Sequence, residues 1–331
     1  MKKIRWGILS SANIAQKKLM PAIVRAHNSE LYAICSRTPS TAKKVAEEFS
    51  INHVYESYQA LLDDPNVDAI YNPLPNHLHV DWSLKALAAG KHVLCEKPLG
   101  LDEKDAQRLV DVATSQTELK VMEAFMYRFH PQWQALKKLV AEGELGQIRT
   151  IHSHFSYNNR DENNIRNIKA MGGGALLDIG CYCISLSRFL FGEEPSRVIG
   201  LATDFKGEEV DCLTSGILQF SQGQATFSCS TKIEPRQYIE IYGEKGSATI
   251  EVPFNPPLDT PSRIFTRIND QNSVIELEPL DQYQLMVESF SHAILNDLPV
   301  ATPLSDAIAN MRVIDAIFAS LEEQSWVKIG V

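Results

Sequence analysis

The sequence predicts an α/β protein in two parts: a doubly wound parallel sheet, then an α+β region with an open, mainly antiparallel sheet. Three observations carry the prediction. Over residues 1–123 short apolar runs alternate with stretches of helical period, the pattern of βαβ units with helices on both faces of a parallel sheet. From Arg197 to about Leu277 strand-like runs follow one another with only turns between them, which indicates antiparallel pairing. At 331 residues the chain also exceeds one ordinary domain. The rhythm changes near Glu123 to Pro131, so the expected division is 1–123 and 124–331.

The elements follow in order. Ile4 to Leu9 is an apolar strand that opens through Ser10-Ser11-Ala12-Asn13-Ile14-Ala15 into a helix running through Met20 to His27. Leu31 to Cys35, Val54-Tyr55, Asp68 to Tyr71, His92 to Cys95 and Val121 to Glu123 are the further strands of the first part. Helices are expected at Ser40 to Phe49, Tyr58 to Leu62, His77 to Ala89 and Leu101 to Ser115. Prolines keep Asn72 to Asn76 a loop. In the second part a helix from Gln132 to Glu142 precedes Ile148 to Tyr157, where apolar and polar residues alternate as in a half-exposed strand. A helix from Ala175 to Phe191 leads to strands at Val198 to Phe205, Leu213 to Phe220, Ala225 to Thr231, Tyr238 to Tyr242, Ala248 to Val252 and Ile264 to Ile268. Helices from Gln282 to Leu295 and Leu304 to Glu322 complete the pattern.

A net charge of −9 with interspersed lysines and arginines argues against a nucleic-acid surface, which requires a concentrated basic face. No early stretch reads as a signal peptide and no uninterrupted apolar run is long enough for a bilayer, so a soluble, cytoplasmic protein is expected. The six cysteines lack zinc-type spacing and read as reduced, buried small residues. His152 and His154 share a sheet face and His77 and His79 flank Leu78, but no third ligand stands at metal spacing, so no metal site is expected.

Chemistry concentrates in four places. Glu96-Lys97 stands where the strand His92 to Cys95 meets Pro98. In an open parallel sheet ligands gather outside the carboxyl ends of the strands, so this pair is expected to face a crevice; the bland alternative is a solvated strand-end pair. Ser10-x-Ala12-x-x-Ala15 occupies a G-x-G-x-x-G frame, and its small side chains let a pyrophosphate approach the backbone at a helix N-terminus. That makes Ser10, Ala12, Asn13 and Ile14 candidate dinucleotide contacts in a Rossmann domain. Ser36 and Arg37 end the second strand where an acid would hold a ribose 2′-hydroxyl; an arginine there holds a 2′-phosphate, favouring NADP over NAD, unless it is a plain surface side chain. Gly172-Gly173-Gly174 lets the backbone approach something flat and starts a helix carrying Asp178 and Tyr182, four residues apart on one face. An acid and a phenol so aligned can bind and deprotonate a sugar hydroxyl, helped by an ammonium such as Lys97. Read alone, Asp178 serves equally as an early-turn charge and Tyr182 as a core aromatic. The loop Asn158 to Met171 is expected to line the pocket, with Arg166 reaching a substrate hydroxyl or carboxylate, and His79 is the histidine placed near the cofactor.

Together Asn72-Pro-Leu-Pro-Asn-His-Leu-His79, Gly90-Lys-His-Val-Leu-Cys-Glu-Lys-Pro98 and Gly172-Gly-Gly-Ala-Leu-Leu-Asp-Ile-Gly-Cys-Tyr182 resemble the Gfo/Idh/MocA oxidoreductases over essentially the whole chain. The Asp-x-x-x-Tyr form, with Met-Glu-Ala-Phe-Met-Tyr-Arg-Phe at 122–129, is most similar to dimeric dihydrodiol dehydrogenases and NADP-dependent D-xylose dehydrogenases. The resemblance implies hydride transfer between nicotinamide and a sugar, polyol or related hydroxyl or carbonyl carbon, with a reductase of trans-dihydrodiols or diketones as an alternative enzyme reading. It implies a homodimer or homotetramer through the second sheet. It makes Lys97 the catalytic lysine, Asp178 a substrate-orienting acid, and Tyr182 the position where inositol dehydrogenases have histidine. Leu74, Asn76, His79 and Glu96 fall at cofactor positions, and Lys97-Pro98 becomes a candidate cis peptide. Ser10 and Ala12 depart from the glycines of most members. The rival reading is a non-catalytic sugar or nucleotide sensor of the same fold, against which the joint presence of Lys97, Asp178 and Tyr182 weighs.

Overall fold

The computed structural model describes residues 2–203 and 209–330. Its contacts divide the chain into two compact units: unit 1, Met1–Phe129 with Asp281–Ile308, and unit 2, His130–Leu280 with Ala309–Val331.

In unit 1 the strands β1 (Ile4–Leu9), β2 (Ser29–Cys35), β3 (His53–Tyr55), β4 (Ala69–Asn72), β5 (His92–Cys95) and β6 (Val121–Glu123) form a parallel sheet in the order β3-β2-β1-β4-β5-β6. The order reverses between β1 and β4, which opens there the crevice that such sheets use for ligands. β4 and β6 are buried throughout and β1 and β5 nearly so, which is why they read as apolar runs without alternation. Between the strands lie α1 (Met20–Arg25), α2 (Pro39–Phe49), α3 (Tyr58–Leu62), α4 (His79–Ala88) and α5 (Glu103–Ser115). Ser57 and Asp102 cap α3 and α5 by accepting the amides of Ala60 and Asp105. Two helices depart from expectation in their first turns. A π-turn at Ala15–Leu19 precedes α1, and a 3₁₀ turn at Asn76–Leu78 precedes α4.

Unit 2 begins with α6 (Pro131–Ala141) and β7 (Ile148–Asn158). A π-turn, Leu176–Gly180, opens the expected helix, which continues as α7 (Cys181–Phe191). Then follow β8 (Arg197–Thr203), β9 (Leu213–Gln219), β10 (Gln224–Ser230), β11 (Lys232–Gly243), β12 (Gly246–Ile250), β13 (Ser262–Ile268) and β14 (Gln271–Leu277). The predicted end of β8 at Phe205 lies outside the described residues. The stretch Lys169–Phe191 is apolar enough to cross a membrane by composition, yet 89% of its apolar window is buried inside the protein, as a core helix requires.

The chain ends with α8 (Gln282–Leu295), α9 (Leu304–Glu323) and β15 (Val327–Lys328). With β15, nine strands among the described residues make one sheet in unit 2, ordered β14-β13-β12-β11-β7-β10-β9-β8-β15. The β7–β10 pair is parallel and the other pairs are antiparallel. Alternation in β7 turns Ile151 and Phe155 to the buried face and His152 and His154 to the other, where they bond Thr226 and Ser228 of β10. Register carries that second face outward to Leu201 of β8 and to Tyr242 and Val274 of β11 and β14, all exposed. α8 differs from the expected division at residue 123. It packs in unit 1, with Phe290 against Trp6 at 5.7 Å, Ser291 bonded to Ser29 at 2.8 Å and Asn28 donating to the Glu288 carbonyl at 2.9 Å. The helix returns because β1 and β2 have apolar surface that local elements leave uncovered.

Candidate functional site

In unit 1 the turn after β1 sits at the reversal of strand order. Ser10 takes φ +100°, a conformation that favours glycine, and its amide donates to the Cys35 carbonyl at 2.7 Å. The helix after it is tied down at once: the Gln16 amide donates to the Ala12 carbonyl and its side chain to the Ser11 carbonyl at 2.6 Å. Ser10 and Ala12 are half-buried, Asn13 is exposed and Ile14 half-buried. The Ser11 hydroxyl meets that of Ser36 at 2.9 Å, joining this turn to the end of β2. Arg37 beside it is exposed and has no acidic partner among the described residues.

Lys97 is half-buried one residue past the carboxyl-end contact of β5, and the Lys97–Pro98 peptide is cis. Glu96 is buried, and Tyr71 of β4 donates its hydroxyl to Oε1 at 2.6 Å. Asn76 is half-buried at the head of its 3₁₀ turn, while Leu74 is buried with its amide on the Asn72 carboxamide. His79, expected near the cofactor, has its ring set between two backbone carbonyls. Its ring is buried, with Nδ1 2.7 Å from the Pro98 carbonyl and Nε2 2.7 Å from the Leu74 carbonyl. Burial pushes its pKa down to about 4 against the pull of both carbonyls. The neutral imidazole carries one N–H and so donates to one of the two carbonyls, lying between the loop after β4 and the loop carrying Lys97.

In unit 2 the acid is built more tightly than its sequence position suggests. Asp178 is 8% exposed; its Oδ2 accepts the Tyr157 hydroxyl at 2.5 Å and Arg166 Nε at 3.0 Å. Burial and the neighbouring carboxylate push the Tyr157 pKa far above the usual phenol range, which keeps it a donor. Arg166, expected to reach for substrate, thus spends Nε on Asp178. Tyr182 is buried with its ring against Phe155 (5.6 Å, 73°) and Phe254 (5.2 Å, 55°). Phe155 and Tyr157 are two residues apart on β7, so acid and phenol ring lie along one face of that strand. Gly173 and Gly174 of the triplet lie against protein atoms of this unit. A Cβ on Gly173 would stand 2.6 Å from the Arg166 carbonyl, and one on Gly174, at φ +117°, 2.1 Å from Oδ1 of Asp211. What comes close is the chain itself.

Residues 4–125 match the model of an oxidoreductase family with an NAD-binding Rossmann fold, and residues 133–249 that of the GFO/IDH/MocA C-terminal domain. The chain belongs to the GFO/IDH/MocA oxidoreductase family. An uncharacterized oxidoreductase of Rhizobium meliloti is 40% identical over 98% of this chain and 99% of its own. A D-xylose 1-dehydrogenase (NADP(+)) of Haloferax volcanii is 36% identical over 98% and 99%. The crystal structure of a 3-ketoreductase from Actinomadura kijaniata, in complex with NADP and TDP-benzene, superposes with a TM-score of 0.90 at 31% identity, covering 96% of this chain and 98% of that one.

As a GFO/IDH/MocA oxidoreductase the protein is an NAD(P)-dependent enzyme acting on CH–OH groups. Its residues fit the dinucleotide: a small-residue turn at a helix start for the pyrophosphate, and a hydroxyl pair with an unpaired guanidinium at the end of β2 for the ribose. Tyr157, Ser11 and Asp211 escaped the sequence reading. Tyr157 looked like one more alternating strand residue, and only its position two residues beyond Phe155 and facing the Asp178 helix could have signalled it.

Proposed function

We propose that this enzyme is an NADP-dependent sugar or polyol dehydrogenase in which Lys97, Asp178 and Tyr182 handle the substrate hydroxyl and its proton. The observation that carries the reading is the Asp178 carboxylate, held on one oxygen by Tyr157 and Arg166 on the face of β7 against which Tyr182 packs. A carboxylate fixed in this way accepts a hydrogen bond from a sugar hydroxyl without reorganising. The bound nicotinamide supplies the hydride acceptor or donor. Lys97, on the loop that His79 contacts, and the Tyr182 phenol take or return the hydroxyl proton and steady the charge that develops. Arg37 and Ser36 select NADP over NAD, in keeping with the NADP named for the Haloferax and Actinomadura relatives. The uncovered sheet face with Leu201, Tyr242 and Val274 pairs two copies of the chain. The six cysteines, all buried free thiols, suit the cytoplasm.

A panel of aldoses including D-xylose, inositols, diols and nucleotide-linked keto sugars, followed at the nicotinamide absorbance with each cofactor, tests the assignment. Turnover of none of them would refute it. Lys97→Met is expected to lower kcat about a thousandfold while NADP⁺ affinity, read by fluorescence, changes less than about threefold. Arg37→Asp is expected to cut kcat/KM for NADP⁺ about a hundredfold and leave that for NAD⁺ equal or higher; an unchanged ratio would remove Arg37 from the cofactor assignment.

A further inference from the structure

Asp211 is a buried acid that the reaction as described does not use. It is 1% exposed and stands two residues before β9. Its Oδ2 accepts the Leu176 amide at 2.8 Å and the Thr214 hydroxyl at 2.5 Å, while its backbone carbonyl accepts the Ala175 amide at 2.7 Å. One residue thus takes up two successive orphan donors where the Leu176–Gly180 turn begins, and puts a carboxylate at the positive end of the helix. Gly174 leaves the space for its other oxygen, and the Asp178 amide donates to the Gly174 carbonyl at 3.1 Å. Asp178 is therefore one hydrogen bond away from the glycine that accommodates Asp211.

We infer that Asp211 is a positioning residue for the reaction: by anchoring residues 174–176 it sets where Asp178 meets Tyr157 and Arg166. The inference rests on the reading of Asp178 as the substrate-orienting acid. Burial pushes the Asp211 pKa up to about 6, with Thr214 and the turn amides pulling it down. The Cys229 thiol of β10 lies in its field, itself raised by burial and by Asp211, with the Cys183 and Cys181 thiols acting on Cys229 in turn. The anchor is accordingly charged above about pH 6 and neutral below it, where its hydrogen bonds to the two donors lose their charge assistance.

The test uses the whole chain carrying Asp211→Asn, which keeps shape and removes the charge. In hydrogen exchange read by mass spectrometry, amides 175–178 are expected to exchange about tenfold faster or more, with residues 184–190 of α7 unchanged. No change, or a uniform rise across unit 2, overturns the inference. With NADP⁺ and the aldose of the panel that the wild type oxidises fastest, kcat/KM is expected to fall about tenfold, KM for NADP⁺ to hold within about twofold, and the inflection near pH 6 to disappear. Adding Asp211→Asn to Asp178→Asn is expected to cost nothing further; losses that simply add overturn the inference, because the two residues would then act separately. If Asp211→Asn does not fold, Thr214→Val removes one donor and is expected to speed the same four amides by a smaller factor, with no effect again counting against the inference. Should Asp178→Asn itself keep wild-type kinetics, the reading of Asp178 falls, a result distinguishable from additive losses in the cycle.

Discussion

The turn after β1 and the turn before α7 invite comparison, because each departs from what glycine content alone suggests. After β1 there is no glycine in the expected frame, yet Ser10 takes φ +100°. Before α7 three glycines stand in a row, and the crowding at Gly173 and Gly174 comes from the Arg166 carbonyl and the Asp211 carboxylate of the same unit. Glycine is compulsory where protein atoms fill the place of a Cβ. Where the space is open a serine can carry the same backbone conformation at a cost of about 1–3 kcal/mol, and strain of that kind gathers at functional sites. The first turn carries its left-handed conformation on a serine; the second is closed by its own chain.

Three substitutions or conditions sharpen or break this contrast. Gly174→Ala brings a methyl to 2.1 Å from Asp211 in a left-handed conformation, and is expected to cost about 3 kcal/mol or more in urea unfolding; wild-type stability would end the comparison. Next comes the pH dependence of Asp211. Its folded pKa of about 6 exceeds the ordinary carboxylate value of 3.8, so between those values the folded state holds the proton and the unfolded chain does not. Stability from this group accordingly rises as pH falls from about 6 toward 4, by at most about 3 kcal/mol. Urea midpoints across that window check it, and Asp211→Asn should remove that part of the slope. The smallest effect is expected from Ser10→Gly, a gain of about 1 kcal/mol from relieved strain net of glycine's flexibility. A loss of stability there would show that the serine side chain holds the turn.

The parallel sheet was legible because β1, β4, β5 and β6 are buried on both faces and read as unbroken apolar runs. β14 was not, since most of Gln271–Leu277 is exposed and offers no alternation, and β15 is too short to signal itself. β11 showed only its regular end, Tyr238 to Tyr242; its start is masked by Pro235 and a shift of register between Lys232 and Arg236. The motif residues at 96–97 and 172–182 were readable in the sequence as chemistry. The packing of His79 between two backbone carbonyls was not, because a histidine so placed and one that touches a ligand look alike in sequence. Asp211 and Tyr157 are single residues on separate strands, and nothing local ties either to the 174–178 turn. The return of α8 to unit 1 is likewise a long-range packing event between Trp6 and Phe290.

That return has a bearing on how the protein is made. The first sheet is translated in full by Phe129, but the helix that covers Trp6 begins only after all of His130–Leu280 has been synthesised. At ordinary elongation rates this is a wait on the order of ten seconds. The nucleotide-binding half, although its strands emerge first from the ribosome, is finished only after His130–Leu280 has been made.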